Sequence, residues 1–146
     1  MTVIRASVLH APVLAALRSE SFKSAWDDDT FAKLLSQPGV AAWIWQDERP
    51  RGFILVRAAA DEAEIVTLAV SPAHRRKGIG ATLIDAAVAQ LSHASIKYLF
   101  LEVAADNAAA RALYAAANFS ECGQRPGYYQ DRDGRIDAVI MKRPLA

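Results

Sequence analysis

The chain has 146 residues, of which 53% are hydrophobic and 23% are charged, and its formal net charge is +1. A chain of this length and composition can bury its own core as a single domain spanning 1–146, and it is too apolar for an intrinsically disordered protein. The near balance of 17 cations and 16 anions argues against a broad basic surface for nucleic acid. No apolar run is long enough to cross a bilayer, so we expect no membrane partner.

Cysteine and histidine usage narrows the class of protein further. The single cysteine, Cys122, excludes an internal disulfide and suits a reducing, cytoplasmic compartment. The three histidines, His10, His74 and His93, are far apart in the sequence and lack the spacing of metal ligands. We therefore expect no metal cofactor.

Hydrophobic periodicity and turn residues predict an alternation of helices and strands. In chain order we expect a strand near 2–7, helices near 11–20 and 28–36, strands near 40–46, 51–60 and 63–70, a helix over 78–92, a strand over 97–104, a helix over 107–118, and strands near 120–125 and 135–143. A three-strand meander followed by a β-α-β crossover indicates an α/β (α+β) fold. Its central sheet should be mixed, with helices on both faces.

The segment Arg75–Gly80 reads Arg-Arg-Lys-Gly-Ile-Gly and lies between a predicted buried strand and a predicted amphipathic helix. The first turn of a helix has unpaired backbone N–H groups and a positive dipole end, and both favour an anion. The segment therefore predicts a phosphate or pyrophosphate site, and the alternative is an ordinary solvated basic turn. A dinucleotide-binding fold is disfavoured, because seven residues separate Val70 from Gly78.

Glu102 stands out in the otherwise apolar strand predicted over 97–104. Strand alternation places it on the same face as Tyr98 and Phe100. A carboxylate among such neighbours is unfavourable unless it is paired, hydrated or used in chemistry, and burial would make it a better proton acceptor. Two interpretations remain open, a general base and a strand-end ion pair with a nearby arginine.

Tyr114 lies in the Ala-rich helix that follows this strand, and Asp106 and Asn107 stand where the helix cap is expected. A phenol, with an ordinary pKa of about 10, is protonated at neutral pH and could donate a proton. On this segment alone, packing in the core is the simpler interpretation of Tyr114.

Several motifs together resemble a known family. Residues 75–80 match the pattern Q/R-x-x-G-x-G/A, and further blocks lie at 63–72, at 101–110 with 112–114, and at 125–129 with 134–135 and 137–138. With these motifs the chain resembles the GCN5-related N-acetyltransferase (GNAT) superfamily and, within it, the bacterial ribosomal-protein-alanine N-acetyltransferases. The blocks run from about 63 to 141, which is more than half of the chain.

The resemblance implies a co-substrate, acetyl-CoA, and roles for particular residues. It implies that the backbone of Leu68, Ala69 and Val70 follows the pantetheine arm, that Asn107 contacts this arm, and that the pyrophosphate is held by Arg75, Arg76, Lys77, Gly78, Ile79, Gly80 and Ala81. It implies further that Glu102 is the general base, directly or through a water, and that Tyr114 is the general acid.

The resemblance to the family has the fewest matching residues in the region that forms the acceptor groove. Trp26 follows Ala25 where the family has a Pro-Trp pair, and the acidic triplet 27–29 could attract a basic acceptor or simply begin a helix. Tyr128 and Tyr129 fall in the loop predicted between the last two strands, and they could line the groove or be exposed turn aromatics.

The pKa of the acceptor amine distinguishes between acceptors. An α-amine with a pKa near 8 is roughly a tenth neutral at pH 7, whereas lysine, with a pKa near 10.4, is neutral about once in 2,500. We therefore expect direct acetyl transfer to a protein N-terminus, most readily the alanine of a ribosomal protein, by a monomer or weak dimer. The alternatives are a lysine or small-amine acetyltransferase and a non-catalytic acetyl-CoA-binding module.

Overall fold

The computed structural model describes residues 1–131 and 134–145, so part of the loop predicted between the last two strands lies outside the described residues. The strands are β1 (Thr2–Arg5), β2 (Val40–Gln46), β3 (Pro50–Ala59), β4 (Glu62–Val70), β5 (Tyr98–Ala104), β6 (Ser120–Asp131) and β7 (Gly134–Pro144). The helices are α1 (Ala11–Ser19), α2 (Asp28–Ser36), α3 (Ile79–His93) and α4 (Ala108–Ala116), and short 3₁₀ turns at Val8–His10 and Pro72–His74 precede α1 and α3. Every helix and strand that the sequence predicts is present.

The strands form one mixed sheet in the order β1-β2-β3-β4-β5-β7-β6. Within the described part of the chain, β4 and β5 are the parallel pair, and the other neighbours are antiparallel. Helix α3 makes the crossover between β4 and β5, as a β-α-β unit requires. The meander is one strand longer than predicted, because β1 pairs with β2.

Two groups of buried apolar side chains cover the two faces of the sheet. One group lies against α3 and α4 and includes Leu83 and Tyr114. The other lies against α1 and α2 and includes Leu14 and Phe31. Successive residues of β3 belong alternately to the two groups, as strand geometry dictates. We refer to these as the α3–α4 face and the α1–α2 face, and they confirm the predicted helices on both sides.

Strand β6 is longer than predicted, and this corrects the expected position of Tyr128 and Tyr129. Both residues lie in the strand rather than in a loop, beyond a bulge that interrupts the β6–β7 pairing after Arg125. In the bulge, Gly127 has a φ of 62° and its N–H donates to Oδ1 of Asp137 at 2.8 Å. A Pro-Gly pair is typical of a turn, but here it forms a bulge after which the strand continues.

Neither a membrane-spanning helix nor a cluster of metal-binding side chains is found among the described residues. None of the helices that the structure describes is long and apolar enough to cross a membrane. Within the same residues, no three histidine, cysteine, aspartate or glutamate side chains are grouped as metal ligands would be.

Gly39 occupies a position where the fold leaves no room for a side chain. Its φ is +83°, and a Cβ would stand 2.3 Å from the carbonyl oxygen of Ala58. We expect Gly39→Ala to lower the free energy of unfolding by at least about 2 kcal/mol, because left-handed strain and a backbone clash coincide. Gly123→Ala is the matched control, since a Cβ there has no contact nearer than 3.5 Å. Urea denaturation measures both variants, and equal midpoints would contradict the prediction.

Candidate functional site

The parallel strands β4 and β5 separate toward their carboxyl ends and leave a cleft. Their pairing ends at Glu64 with Phe100, although β4 continues to Val70 and β5 to Ala104. Beyond Glu64, the edge of β4 that faces β5 has no strand partner among the described residues. Backbone N–H and C=O groups on that edge are therefore available to a bound molecule.

A β-bulge sets the direction of the second half of β4. One residue, Val66, has no partner in β3. A bulge of this kind reverses the alternation of side chains along a strand. Leu68 and Val70 consequently pack toward the α3–α4 face, and Ala69 packs toward the α1–α2 face. The three residues predicted to follow the cofactor arm thus lie beside the cleft.

A row of unpaired amides precedes and opens α3. The helix begins at Ile79, after Gly78 in a left-handed conformation, and the N–H of Thr82 donates to the carbonyl of Gly78 at 3.0 Å. No described residue accepts a hydrogen bond from the backbone N–H groups of residues 76–81. Adjacent donors at the positive end of a helix form an anion site.

The three cations of the loop have different surroundings. The guanidinium of Arg75 turns away from the amides, because Nη2 donates to Oγ of Ser21 at 2.9 Å and Nε to the carbonyl of Val70 at 3.4 Å. The exposed side chains of Arg76 and Lys77 have no ion-pair or hydrogen-bond partner among the described residues. These two cations are therefore available to an anionic ligand.

The two glycines of the loop are required for different reasons. Gly78 has a φ of +79°, and a Cβ there would meet nothing within 4 Å, so the requirement is conformational. Gly80 is buried, and a Cβ there would lie 3.1 Å from Cδ2 of Leu113 on α4. Gly80 thus allows α3 and α4 to approach each other, while Gly78 sets the shape of the amide row.

Glu102 lies on β5 and forms an ion pair with Arg125 of β6. Its side chain is 27% exposed, and its Oε1 lies 3.0 Å from Nη2 of Arg125. The guanidinium carbon of Arg125 also lies 5.3 Å from the ring centre of Tyr128. An arginine partner was one of the two interpretations that the sequence left open. The ion pair compensates the negative charge of the Glu102 carboxylate, and part of the Glu102 side chain remains exposed to solvent.

An open cavity of about 360 Å³ lies beside Glu102 on the α1–α2 face. Its lining includes three carboxylates and two guanidinium groups, those of Glu62, Glu64, Glu102, Arg57 and Arg125. Arg57 is paired with Glu64, its Nε lying 3.0 Å from Oε1. A space of this size, with one more anion than cations, fits a short and basic stretch of peptide better than an acidic one.

Tyr114 is buried on the α3–α4 face, and the end of α4 fixes its surroundings. Asn118 has a φ of 71°, and the N–H groups of Phe119 and Asn118 donate to the carbonyls of Tyr114 and Ala115. Asparagine tolerates left-handed backbone better than most residues, so Asn118 suits this helix end. This end of the helix packs the ring of Phe119 edge-on against Tyr114, with ring centres 5.7 Å apart.

Two tyrosines, Tyr114 on α4 and Tyr129 on β6, have pKa values raised by their surroundings. Burial raises the pKa of Tyr114 well above its ordinary value, and proximity to Tyr129 raises it further. Burial, followed by the negative charge of Glu102, raises the pKa of Tyr129. Tyr129, which follows the bulge in β6, thus lies within electrostatic range of both candidate catalytic residues.

Asn107 caps α4, as its sequence position predicted. Its Oδ1 accepts a hydrogen bond from the N–H of Ala110 at 3.1 Å. Its carboxamide nitrogen donates to no acceptor in the part of the chain that the structure describes. The nitrogen is thus available at the start of α4.

Trp26 lies immediately before α2. Its ring centre is 5.6 Å from that of Phe31 and 3.9 Å from the guanidinium carbon of Arg18. Asp27 caps the helix by accepting a hydrogen bond from the N–H of Thr30 at 2.9 Å. The acidic triplet therefore begins a helix, which was one of its two interpretations.

Two arginines near the site were not singled out from the sequence. Arg125 was noted only as part of a motif, yet it is the partner of Glu102. Arg18 was not noted at all, although it is 6% exposed. A signal for Arg18 exists, because it follows Leu14 by four residues and therefore shares the apolar side of α1.

Comparisons with known proteins agree with this geometry. The family model described as the acetyltransferase (GNAT) family matches residues 11–119. The ribosomal protein bS18-alanine N-acetyltransferase of Escherichia coli is 35% identical over 121 residues, which are 83% of this chain and 82% of the relative. A crystal structure of the Escherichia coli enzyme has a TM-score of 0.91 at 30% identity and covers 99% of this chain and 94% of its own. Arabidopsis thaliana NAA60 in complex with acetyl-CoA shares the fold, with a TM-score of 0.82 at 18% identity over 99% of both chains.

The amide row at residues 76–81 can be tested with one substitution. We expect Gly78→Ala to weaken the binding of CoA about fivefold or more, because left-handed backbone is unfavourable for alanine by roughly 1 kcal/mol. Gly123→Ala, far from the loop, should leave the affinity unchanged. Isothermal titration calorimetry measures both, and an unchanged affinity in Gly78→Ala would contradict the assignment of this loop.

Proposed function

The chain belongs to the acetyltransferase (GNAT) family, whose members use acetyl-CoA, and we propose that it transfers the acetyl group to the α-amine of a protein N-terminus. The acceptor we propose is the N-terminal alanine of a ribosomal protein, the acceptor for which the Escherichia coli relative is named. The observation that carries the proposal is the cleft between β4 and β5, with the amide row on one side of it and Glu102 on the other.

In this proposal the cofactor pairs with the open edge of β4. The pantetheine arm accepts and donates backbone hydrogen bonds along residues 68–70, in place of the missing strand. The pyrophosphate accepts hydrogen bonds from the amides of residues 76–81, and Arg76 and Lys77 add their charge. The carboxamide of Asn107 donates to the arm from the start of α4.

The chemistry we propose is direct transfer of the acetyl group from the sulfur of acetyl-CoA to the acceptor nitrogen. Glu102 takes a proton from the acceptor ammonium, directly or through a water, and the neutral nitrogen attacks the thioester carbonyl. A backbone N–H of residues 68–70 stabilises the oxyanion of the tetrahedral intermediate. The carbon–sulfur bond then breaks, and Tyr114 donates its proton to the departing thiolate. The attacking nitrogen, which is cationic after the attack, gives up its second proton to solvent water, and Tyr114 regains a proton from solvent before the next turnover. Burial keeps the phenol of Tyr114 protonated at neutral pH, and because it also raises the pKa of the phenol, the proton is transferred only as negative charge develops on the departing sulfur.

The acceptor in this proposal approaches from the α1–α2 face, on which Glu102 and the cavity lie. Its ammonium group must share the carboxylate of Glu102 with Arg125, which repels a second cation nearby. An α-amine loses its proton far more readily than lysine, so it tolerates this competition better. The excess of carboxylates in the cavity favours basic residues after the N-terminal alanine.

Acceptor choice is tested by following CoA release with three acceptors. We expect a basic peptide that begins with alanine to be acetylated at least about tenfold faster at pH 7 than the other two, a lysine peptide with a blocked N-terminus and spermidine. Mass spectrometry of the product identifies the acetylated nitrogen. Faster turnover of either other acceptor would contradict the proposed acceptor, and no turnover with any acceptor despite CoA binding would indicate a non-catalytic module.

The role of Glu102 is tested by the pH dependence of Glu102→Gln. We expect kcat/KM to fall at least about 100-fold at pH 7, because the base is lost. The deficit should shrink by about tenfold toward pH 9, since an α-amine then loses its proton to water. Glu121→Gln is the control, because Glu121 is also paired with an arginine, Arg111, but away from the cleft. A deficit that does not change with pH would contradict the role of Glu102 as a base.

A further inference from the structure

The segment that joins α1 to α2, residues 20–27, is folded around one buried charge. Arg18 is 6% exposed, and its guanidinium carbon lies 4.4 Å from the ring centre of Phe22 and 3.9 Å from that of Trp26. Its Nη1 donates to the carbonyl oxygen of Ser24 at 2.5 Å. Arg18 therefore contacts three residues of a segment that contains no helix or strand.

The environment of Arg18 is unfavourable for net stability. None of the carboxylates that the structure describes is paired with its guanidinium, and its buried Nε has no hydrogen-bond partner there. A buried cation and an unsatisfied donor both oppose folding, and an apolar side chain of similar length would avoid both. Stability alone therefore does not account for an arginine at this position.

The same segment borders the candidate site. Oγ of Ser21 donates to the carbonyl of Val70, the last residue of β4, at 3.3 Å, and Nη2 of Arg75 donates to Oγ of Ser21 at 2.9 Å. Helices α1 and α2 cover the face of the sheet on which Glu102 lies. A peptide that enters the cleft from this face meets residues 20–27 beside the end of β4.

We propose that Arg18 is a positioning residue for the acceptor. By stacking on Phe22 and Trp26 and holding Ser24, it fixes these two aromatic side chains as one wall of the acceptor entrance. Arg18 is too buried to touch the acceptor, whereas Phe22 is 41% exposed and can. The inference rests on the proposed function, because it takes the acceptor to be a peptide that enters from the α1–α2 face.

The test compares Arg18→Met, which keeps the length of the side chain, with Arg18→Lys, which keeps its charge. For Arg18→Met we expect the KM of the alanine-starting peptide to rise about tenfold, with kcat and the affinity for acetyl-CoA changed less than twofold. Arg18→Lys should raise this KM less, because a point charge stacks on one ring at most. The thermal midpoint of Arg18→Met should stay equal or rise, because the unsatisfied donor is gone.

Arg5→Met is the matched control, because Arg5 also stacks on a tryptophan, Trp43, with its guanidinium carbon 5.1 Å from the ring, but on the edge strand β1. We expect the KM of the acceptor to be unchanged in this variant. An unchanged KM for the acceptor in Arg18→Met would overturn the proposal. A decrease in kcat alone, in proportion to the fraction of protein that is folded, would also overturn it, because Arg18 would then have only a structural role.

A second readout needs no acceptor. Replacing Trp43 and Trp45 with phenylalanine leaves Trp26 as the remaining tryptophan of the three in the chain. In that background we expect Arg18→Met to increase acrylamide quenching of Trp26 at least twofold, and unchanged quenching would overturn the positioning role. If the unaltered protein acetylates no N-terminal peptide, the proposed function fails together with the acceptor role of Arg18. If the unaltered protein acetylates such a peptide, but Arg18→Met changes neither the KM of the peptide nor the quenching of Trp26, only the inference about Arg18 fails.

Discussion

The limited pairing of β4 with β5 is the constraint on which the candidate site depends. Two parallel strands that stayed paired to their ends would leave no backbone groups free between them. Here pairing ends at Glu64, and the second half of β4 keeps an open edge beside the first turn of α3. The same separation leaves the facing edge of β5 open beyond Phe100, and Glu102 belongs to this part of the strand. Backbone donors and a candidate base thus lie beside one cleft because of a single change in strand direction.

Much of this arrangement could be predicted from the sequence, since it depends on local signals. The strand before residue 70, the glycine in a left-handed position and the amphipathic stripe of α3 are encoded within a few residues of one another. The cap at Asn107 is local for the same reason, and the sequence placed it correctly. The alternation of side chains along β5 was enough to place Glu102 on the face of the sheet where the structure has it, and no information on neighbouring strands was needed.

The rest depends on contacts between distant parts of the chain, which local patterns do not contain. The bulge after Arg125 is held by Asp137 across the β6–β7 pair, so a Pro-Gly pair that is typical of a turn forms part of a strand. The ion pair of Glu102 with Arg125 follows from the position of β7 between β5 and β6 and from the register of β6 on β7, in which Arg125 lies opposite Ala138. Arg18 was overlooked because a charge on the apolar side of a helix has meaning only once its aromatic neighbours are known.

Binding of the proposed ligand to the unpaired amides of residues 76–81 would tie the stability of this protein to that ligand. Such a row of donors exists only in the folded chain, so a molecule that satisfies it binds the folded state and not the unfolded one. At a ligand concentration 100 times Kd, this linkage adds about 2.7 kcal/mol to the free energy of unfolding. The resistance of the protein to heat and to proteolysis would then increase with the concentration of acetyl-CoA or free CoA. The fold would be most robust when its co-substrate is plentiful.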